Sequence, residues 1–231
     1  MSLSYRSGLI ISQSPSAVDG VSEGVPSPSL SHRGGRGEPL AVAVQRGAID
    51  GLLIIERPTF EDGRGFFRES FRMSELDEAR GQPTCFVQEN HSRSRRGALR
   101  GLHAENWEKL VYVPRGEVFT AVADIRGDSP TFGVVETFVL GESNRIKLFL
   151  PRAVAHGFCV LSDEADYVYQ VTEYWDGYDT RAVAWDDPDL AVPWPLAHPT
   201  LSERDRHNPN LRELYPERFA RVPSSGFRVP S

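Results

Sequence analysis

His103 stands with Arg100 before it and Lys109 after it in the run ALRGLHAENWEKLVYVPRG. An imidazole titrates near neutral pH and can take or give a proton. A guanidinium grips phosphate with a planar fork, and an ammonium is a compact charge that stabilises an oxyanion. The three together suit proton transfer on an anionic substrate. Composition sharpens that reading, because among 26 basic residues only Lys109 and Lys147 are lysines. Where arginine is otherwise the rule, a lysine beside a histidine points to a place that wants a small cation. A strand-end histidine between solvated cations is the plainer alternative.

Strands must hold these groups. From Ala48 onward short apolar runs alternate with turn residues: IDGLLIIE, FVQENHS, LVYVPRG, EVFTAVADI, VVETFVL, IKLFLP, AHGFCVL and DYVYQVTEY. Such spacing predicts strands, and EDGRG, SRRG, PRG, RGDSP and GESN supply the Gly, Asp, Asn and Pro that reversals need. Helix is scarce. MSELDEARG, residues 73–81, is the best candidate, with Ser74 as cap and Gly81 as stop. The segment from Thr200 reads as short helical or irregular. Many short antiparallel strands imply an all-β sandwich or barrel with a few short helices, and a jelly-roll barrel protects most strand edges. Its mouth is the expected site. Residues 1–47, rich in Ser, Gly, Pro and Arg, read as a flexible extension, and residues 48–231 as one folded domain.

Several function classes fall away. A net charge of -6 and a pI near 5.6 argue against a nucleic-acid binder driven by phosphate contacts. No apolar run reaches the ~20 residues of a membrane span, and the N-terminus lacks the apolar stretch of a signal peptide, so a soluble cytoplasmic protein is expected. Cys85 and Cys159, far apart in apolar surroundings, read as buried thiols. No glycine-rich phosphate loop opens a helix. The six histidines are scattered singly, with no HxH or HExxH pair, so neither a metal nor a cofactor is expected.

Nine fragments then follow one another in order: DGRGFFRESF, FVQENHSRS, LRGLH, KLVYV, RGEVF, DIRGDSPTFG, AHGF, WDDPDLAVPWPL and LSERD. Together they resemble the dTDP-4-dehydrorhamnose 3,5-epimerase family over roughly residues 50–210. The resemblance implies a metal-independent cupin jelly roll, usually a homodimer, that acts on a nucleotide-linked 4-keto-6-deoxy sugar, most often on dTDP. It implies His103 as general base, Asp205 as the carboxylate holding its imidazole, Lys109 as the cation and Tyr169 as general acid. Arg64, Glu69, Gln88, Asn90, Arg100 and His156 match pocket positions, and Trp175 falls where an aromatic ring stacks on the nucleotide base.

The chemistry fits those roles. Hydrogens on carbons flanking a C4 ketone are acidic because their loss gives an enolate, so a base and a cation are needed. Inversion further needs a proton donor on the opposite ring face, which Tyr169 would supply. Taken singly, Tyr169 also fits a core tyrosine, Asp205 a helix cap, Trp175 ordinary packing and His156 a backbone hydrogen bond. Between His103 and Lys109 the chain has AENWE, shorter than the family's usual loop, which leaves the nucleotide, the sugar and the inverted centre open. A 3,4-ketoisomerase, a single-centre epimerase and a non-catalytic sugar-nucleotide-binding cupin are the rival readings.

Overall fold

Strands buried along most of their length dominate the computed structural model, which describes residues 11–13, 43–177 and 181–219. In chain order the strands are β1 (Ile11–Gln13), β2 (Ala43–Arg46), β3 (Leu53–Glu56), β4 (Phe60–Asp62), β5 (Gly65–Phe67), β6 (Gln88–Arg95), β7 (Leu99–His103), β8 (Lys109–Arg115), β9 (Glu117–Ala123), β10 (Val135–Gly141), β11 (Lys147–Leu150), β12 (Ala155–Val160) and β13 (Glu164–Val171). Three short helices accompany them: α1 (Met73–Arg80), α2 (Leu211–Leu214) and α3 (Pro216–Phe219).

The strands form a five-stranded sheet of order β1-β10-β9-β12-β7 and a six-stranded sheet of order β2-β3-β11-β8-β13-β6, with β4 and β5 pairing as a separate hairpin. Val118, Phe138 and Phe158 of the first sheet meet Val111, Leu148 and Tyr167 of the second in the main core. Two outer layers seal this sandwich. Leu76 of α1 packs on Leu53, Leu110 and Phe149 of the six-stranded sheet. Val183, Leu190 and Leu211 of the closing segment cover Leu102, Ala121 and Ala123 of the other. Each buried aliphatic contributes about 1.5–3 kcal/mol, so β7, with Leu99 1% and Leu102 0% exposed, is a rigid mount for His103.

Several expectations need correction. The extension drawn over residues 1–47 contains β2, which pairs with β3, and β1, which pairs with β10. The folded unit therefore reaches into it, and the rest of that stretch lies outside the described residues. The helix stops at Gly81, whose φ of 73° suits a residue without Cβ. Its cap, however, is Arg72 rather than Ser74, with no side-chain cap bond. Ser74 sits inside the first turn. Cys159 is buried, whereas Cys85 is exposed, because it lies in the irregular stretch between α1 and β6. Lys147 is a structural lysine on the outer face of β11. Its ammonium sits 3.8 Å from the Tyr112 ring centroid, and burial pushes it down to about 8, with Arg68 adding to the shift.

One turn couples stability to pH. Asp124, 0% exposed, accepts hydrogen bonds from Arg126 Nη2 at 2.6 Å, Ser129 Oγ at 2.5 Å and Thr131 Oγ1 at 2.6 Å. Burial raises its carboxyl, but these donors outweigh burial and hold it below the usual range. A depressed folded value means that the stabilisation is present above the unfolded value of about 3.9 and lost as pH falls through the folded one. Asp124→Asn should therefore destabilise the protein by about 1–3 kcal/mol at pH 7 and flatten its loss of stability below about pH 4. Denaturant midpoints across pH check both.

Candidate active site

His103 closes β7 and pairs across the ladder with His156 of β12. The two strands run close because of Gly101. Its φ is 135°, and a Cβ there would lie 2.5 Å from Gly157 Cα, an approach that only glycine permits. Asp205 arrives from far along the chain. The segment before it is stitched to the start of β7, with the Leu99 N–H donating to Thr200 O at 2.9 Å. Asp205, 3% exposed, then sets Oδ1 2.7 Å from His103 Nε2 and Oδ2 3.4 Å from the Gly101 N–H. Burial raises the Asp205 carboxyl, but the hydrogen bond and charge of His103 outweigh it, and the carboxylate stays ionised.

Tyr169 comes from the opposite sheet, on β13, registered against Asn90 of β6 and Val111 of β8. Burial, then the nearby Glu105, raises its phenol. Lys109 begins β8 with a side chain only 4% exposed. Its ammonium forms an ion pair with Glu105, lies 3.3 Å from His156 Nδ1 and sits 5.9 Å from the Tyr169 ring centroid. Burial, with Lys109 second, pushes His156 well below its usual value and keeps it neutral.

These side chains share one cavity of about 380 Å³. Of the expected residues, His103, Lys109, Tyr169, Gln88, Asn90, Arg100, His156 and Trp175 line it, and Asp205 stands behind His103. Trp175, 63% exposed, is at the rim, its backbone N–H donating to Gln88 Oε1 at 3.2 Å. Arg100 Nε–H donates to Ser94 Oγ at 3.0 Å, leaning from β7 towards β6. Arg64 and Glu69 do not line this cavity. Arg64 lies in the exposed β4–β5 turn and bonds Asp62, and Glu69 pairs with Arg57 and Arg72.

The cavity also takes Ser92, Glu105, Trp107, Phe158, Tyr167 and Arg204, which sequence reasoning missed. Period two would have found half of them. Strand β6 contains no apolar residue, yet Gln88, Asn90 and Ser92 alternate with the exposed Glu89, His91 and Arg93. That is the pattern of a strand whose inner face borders a polar cavity. Tyr167 and Phe158 stand two residues from Tyr169 and His156 on the same strands. Among the described residues no group of three or more His, Cys, Asp or Glu is arranged to hold a metal.

A histidine backed by a carboxylate shares its cavity with a phenol and a buried ammonium, an arrangement suited to proton transfer. The dTDP-4-dehydrorhamnose 3,5-epimerase family model matches residues 46–213, and the chain belongs to that family. It is 44% identical over 163 residues to the dTDP-4-dehydrorhamnose 3,5-epimerase of Pseudomonas aeruginosa, covering 69% of this chain and 90% of the relative. The crystal structure of the dTDP-6-deoxy-D-glucose-3,5-epimerase of Legionella pneumophila, in complex with dTDP-4-keto-L-rhamnose, superposes with a TM-score of 0.71. Identity there is 40%, over 77% of this chain and 96% of that one. A 3'-monoepimerase from Streptomyces bikiniensis, in complex with dTDP-quinovose, gives 0.69 at 32% identity, covering 74% and 88%.

Proposed function

We propose that the protein inverts C3, C5 or both in a dTDP-linked 4-keto-6-deoxy sugar, on a cupin jelly roll, in deoxysugar biosynthesis. The observation that carries this reading is the His103–Asp205 pair on one sheet opposite Tyr169 on the other, with Lys109 in the same cavity. Asp205 accepts the His103 Nε2 proton, which leaves Nδ1 with the lone pair that removes the ring hydrogen. Lys109 stabilises the oxygen of the resulting enolate. Tyr169, kept protonated by burial, returns a proton from the other face. Gln88, Asn90, Arg100 and Trp175 bind the nucleotide end. Incubation with the dTDP-4-keto-6-deoxy sugar in deuterated water tests the reading. Label entering C3, C5 or both with inverted configuration at that carbon upholds it, and label at neither refutes it. Label at C3 alone gives the single-centre reading, and label at both centres the two-centre one, which the higher identity to the 3,5-epimerases supports. Turnover should survive exhaustive chelation, since Lys109 supplies the charge a metal would otherwise bring. Its loss with EDTA and return with a divalent ion would overturn that step.

A cytoplasmic homodimer is part of the same proposal. Free Cys85 and Cys159 suit a reducing compartment. Phe60, Phe66 and Phe67 stand 54%, 55% and 73% exposed on the β4–β5 hairpin, an apolar surface that a second copy would cover. A hairpin crossing to the partner would also bring Arg64 to a pocket, as the resemblance implies for it. Phe66→Asp with Phe67→Asp should then yield monomers by light scattering and lower turnover at least about 10-fold, from loss of ordered contacts worth ~1.4 kcal/mol or more. A dimer that persists would sink this arrangement.

A further inference from the structure

We infer that Glu105 is a positioning residue, whose carboxylate holds Lys109 as an ammonium at one place in the cavity wall. The inference rests on the reading of Lys109 as the cation beside the ketone oxygen. Glu105 and Lys109 are four residues apart and form an ion pair whose side chains are 15% and 4% exposed. The intervening backbone is tied down at several points. The Ala153 N–H donates to Glu105 O at 3.1 Å, Arg152 Nη1 to Asn106 O at 2.6 Å, and the Glu108 N–H to Thr172 Oγ1 at 3.1 Å. A loop so latched aims the carboxylate rather than letting it follow solvent.

A buried ammonium without a counter-charge sheds its proton, because low-dielectric surroundings penalise the charged form. The groups around Lys109 are Glu105 on its own segment, His156 on β12, His103 on β7 and Tyr169 on β13, with Arg100 farther along the wall. His156 is neutral, so it offers a lone pair but no charge. Glu105 is the acid that lies on the ammonium. Burial opposes its ionisation, and the charge and hydrogen bond of Lys109 outweigh burial. Burial first, and the same carboxylate second, raise the Tyr169 phenol. One side chain therefore holds Lys109 as an ammonium to face the enolate oxygen and adds to the burial that already keeps the Tyr169 phenol protonated. Part of the lysine charge is cancelled in exchange, so Glu105 extends the pH range of the site rather than its strength. AENWE thus contributes a residue to the chemistry where the chain has its short loop.

With two lysines in the sequence, protein labelled with ¹³C at lysine Cε gives two titrating signals, and Lys147→Arg identifies the one from Lys147. In Glu105→Gln the Lys109 signal should titrate about 1–2 pH units lower than in the wild type, and Glu105→Asp should recover part of that shift. Ring-hydrogen exchange in deuterated water, which needs Lys109 but not inversion by Tyr169, should lose its alkaline limb at a correspondingly lower pH. A Lys109 titration unmoved in both variants overturns the inference. If Glu105→Gln does not fold, Glu105→Ala takes its place, an unmoved signal again overturning the inference. A wild type that exchanges nothing would instead refute the functional reading, while the titration would still report whether Glu105 holds Lys109 charged.

Discussion

His103→Asn should lose turnover and ring-hydrogen exchange together, by about 10²–10⁴-fold, the usual contribution of a positioned general base. Asparagine keeps the approximate size and a hydrogen bond to Asp205 but has no titratable nitrogen. Asp205 also keeps the Gly101 N–H, and Leu99 and Leu102 keep β7 packed, so folding and dTDP binding should survive. Calorimetric dTDP affinity and the melting temperature confirm that the chemistry alone has been removed. Exchange continuing at more than a tenth of the wild-type rate would give the base role to another residue, with the neutral His156 the first to test.

Tyr169→Phe should divide what His103→Asn abolishes as one. The phenylalanine ring fills the same place on β13 and loses only the hydroxyl. His103 still removes the ring hydrogen beside Lys109 and returns it from the side it came from, so solvent exchange continues. Inversion, which needs a donor on the other face, should fall by about 10²–10⁴-fold. Nuclear magnetic resonance of the sugar in deuterated water reads both rates in one sample. Equal losses of exchange and inversion, in a folded variant that binds dTDP, would remove Tyr169 from the opposite-face role and with it the feature that separates an epimerase from a ketoisomerase on the same scaffold.

Most of the strands could be read from the sequence because their burial alternates or runs continuously, as in KLVYV and AHGFCV, and turn residues punctuate them. Gly81 was legible as a helix stop, since its positive φ is a local property. Ser74 was not, because capping depends on the direction of chain entry rather than on residue type. The pairing of His103 with Asp205 followed only from the resemblance to a family. Nothing local links residues separated by 102 positions, and the bond that brings them together starts from the backbone of Thr200. Glu105 was hidden for the opposite reason: it is adjacent to the site in sequence, but a glutamate four residues from a lysine usually marks a solvated pair. Only burial turns that pair into part of a cavity. Arg64 lies in the exposed β4–β5 turn and Glu69 follows the hairpin, paired with Arg57 and Arg72, and no residue pattern says whether such a segment reaches a pocket.

The stitching of Thr200 to β7 has a consequence for synthesis. A ribosome makes a chain from its N-terminus at about 5–20 residues per second, so His103 emerges and can join its sheet several seconds before Asp205 exists. During that interval the sandwich can assemble with an imidazole that lacks its carboxylate, and the nascent chain is a shape without a catalyst. The pair is complete only once the Leu99 N–H meets Thr200 O and Asp205 lies behind the ring. A polypeptide released before that point would carry Arg100, Lys109 and Tyr169 but not the carboxylate behind His103.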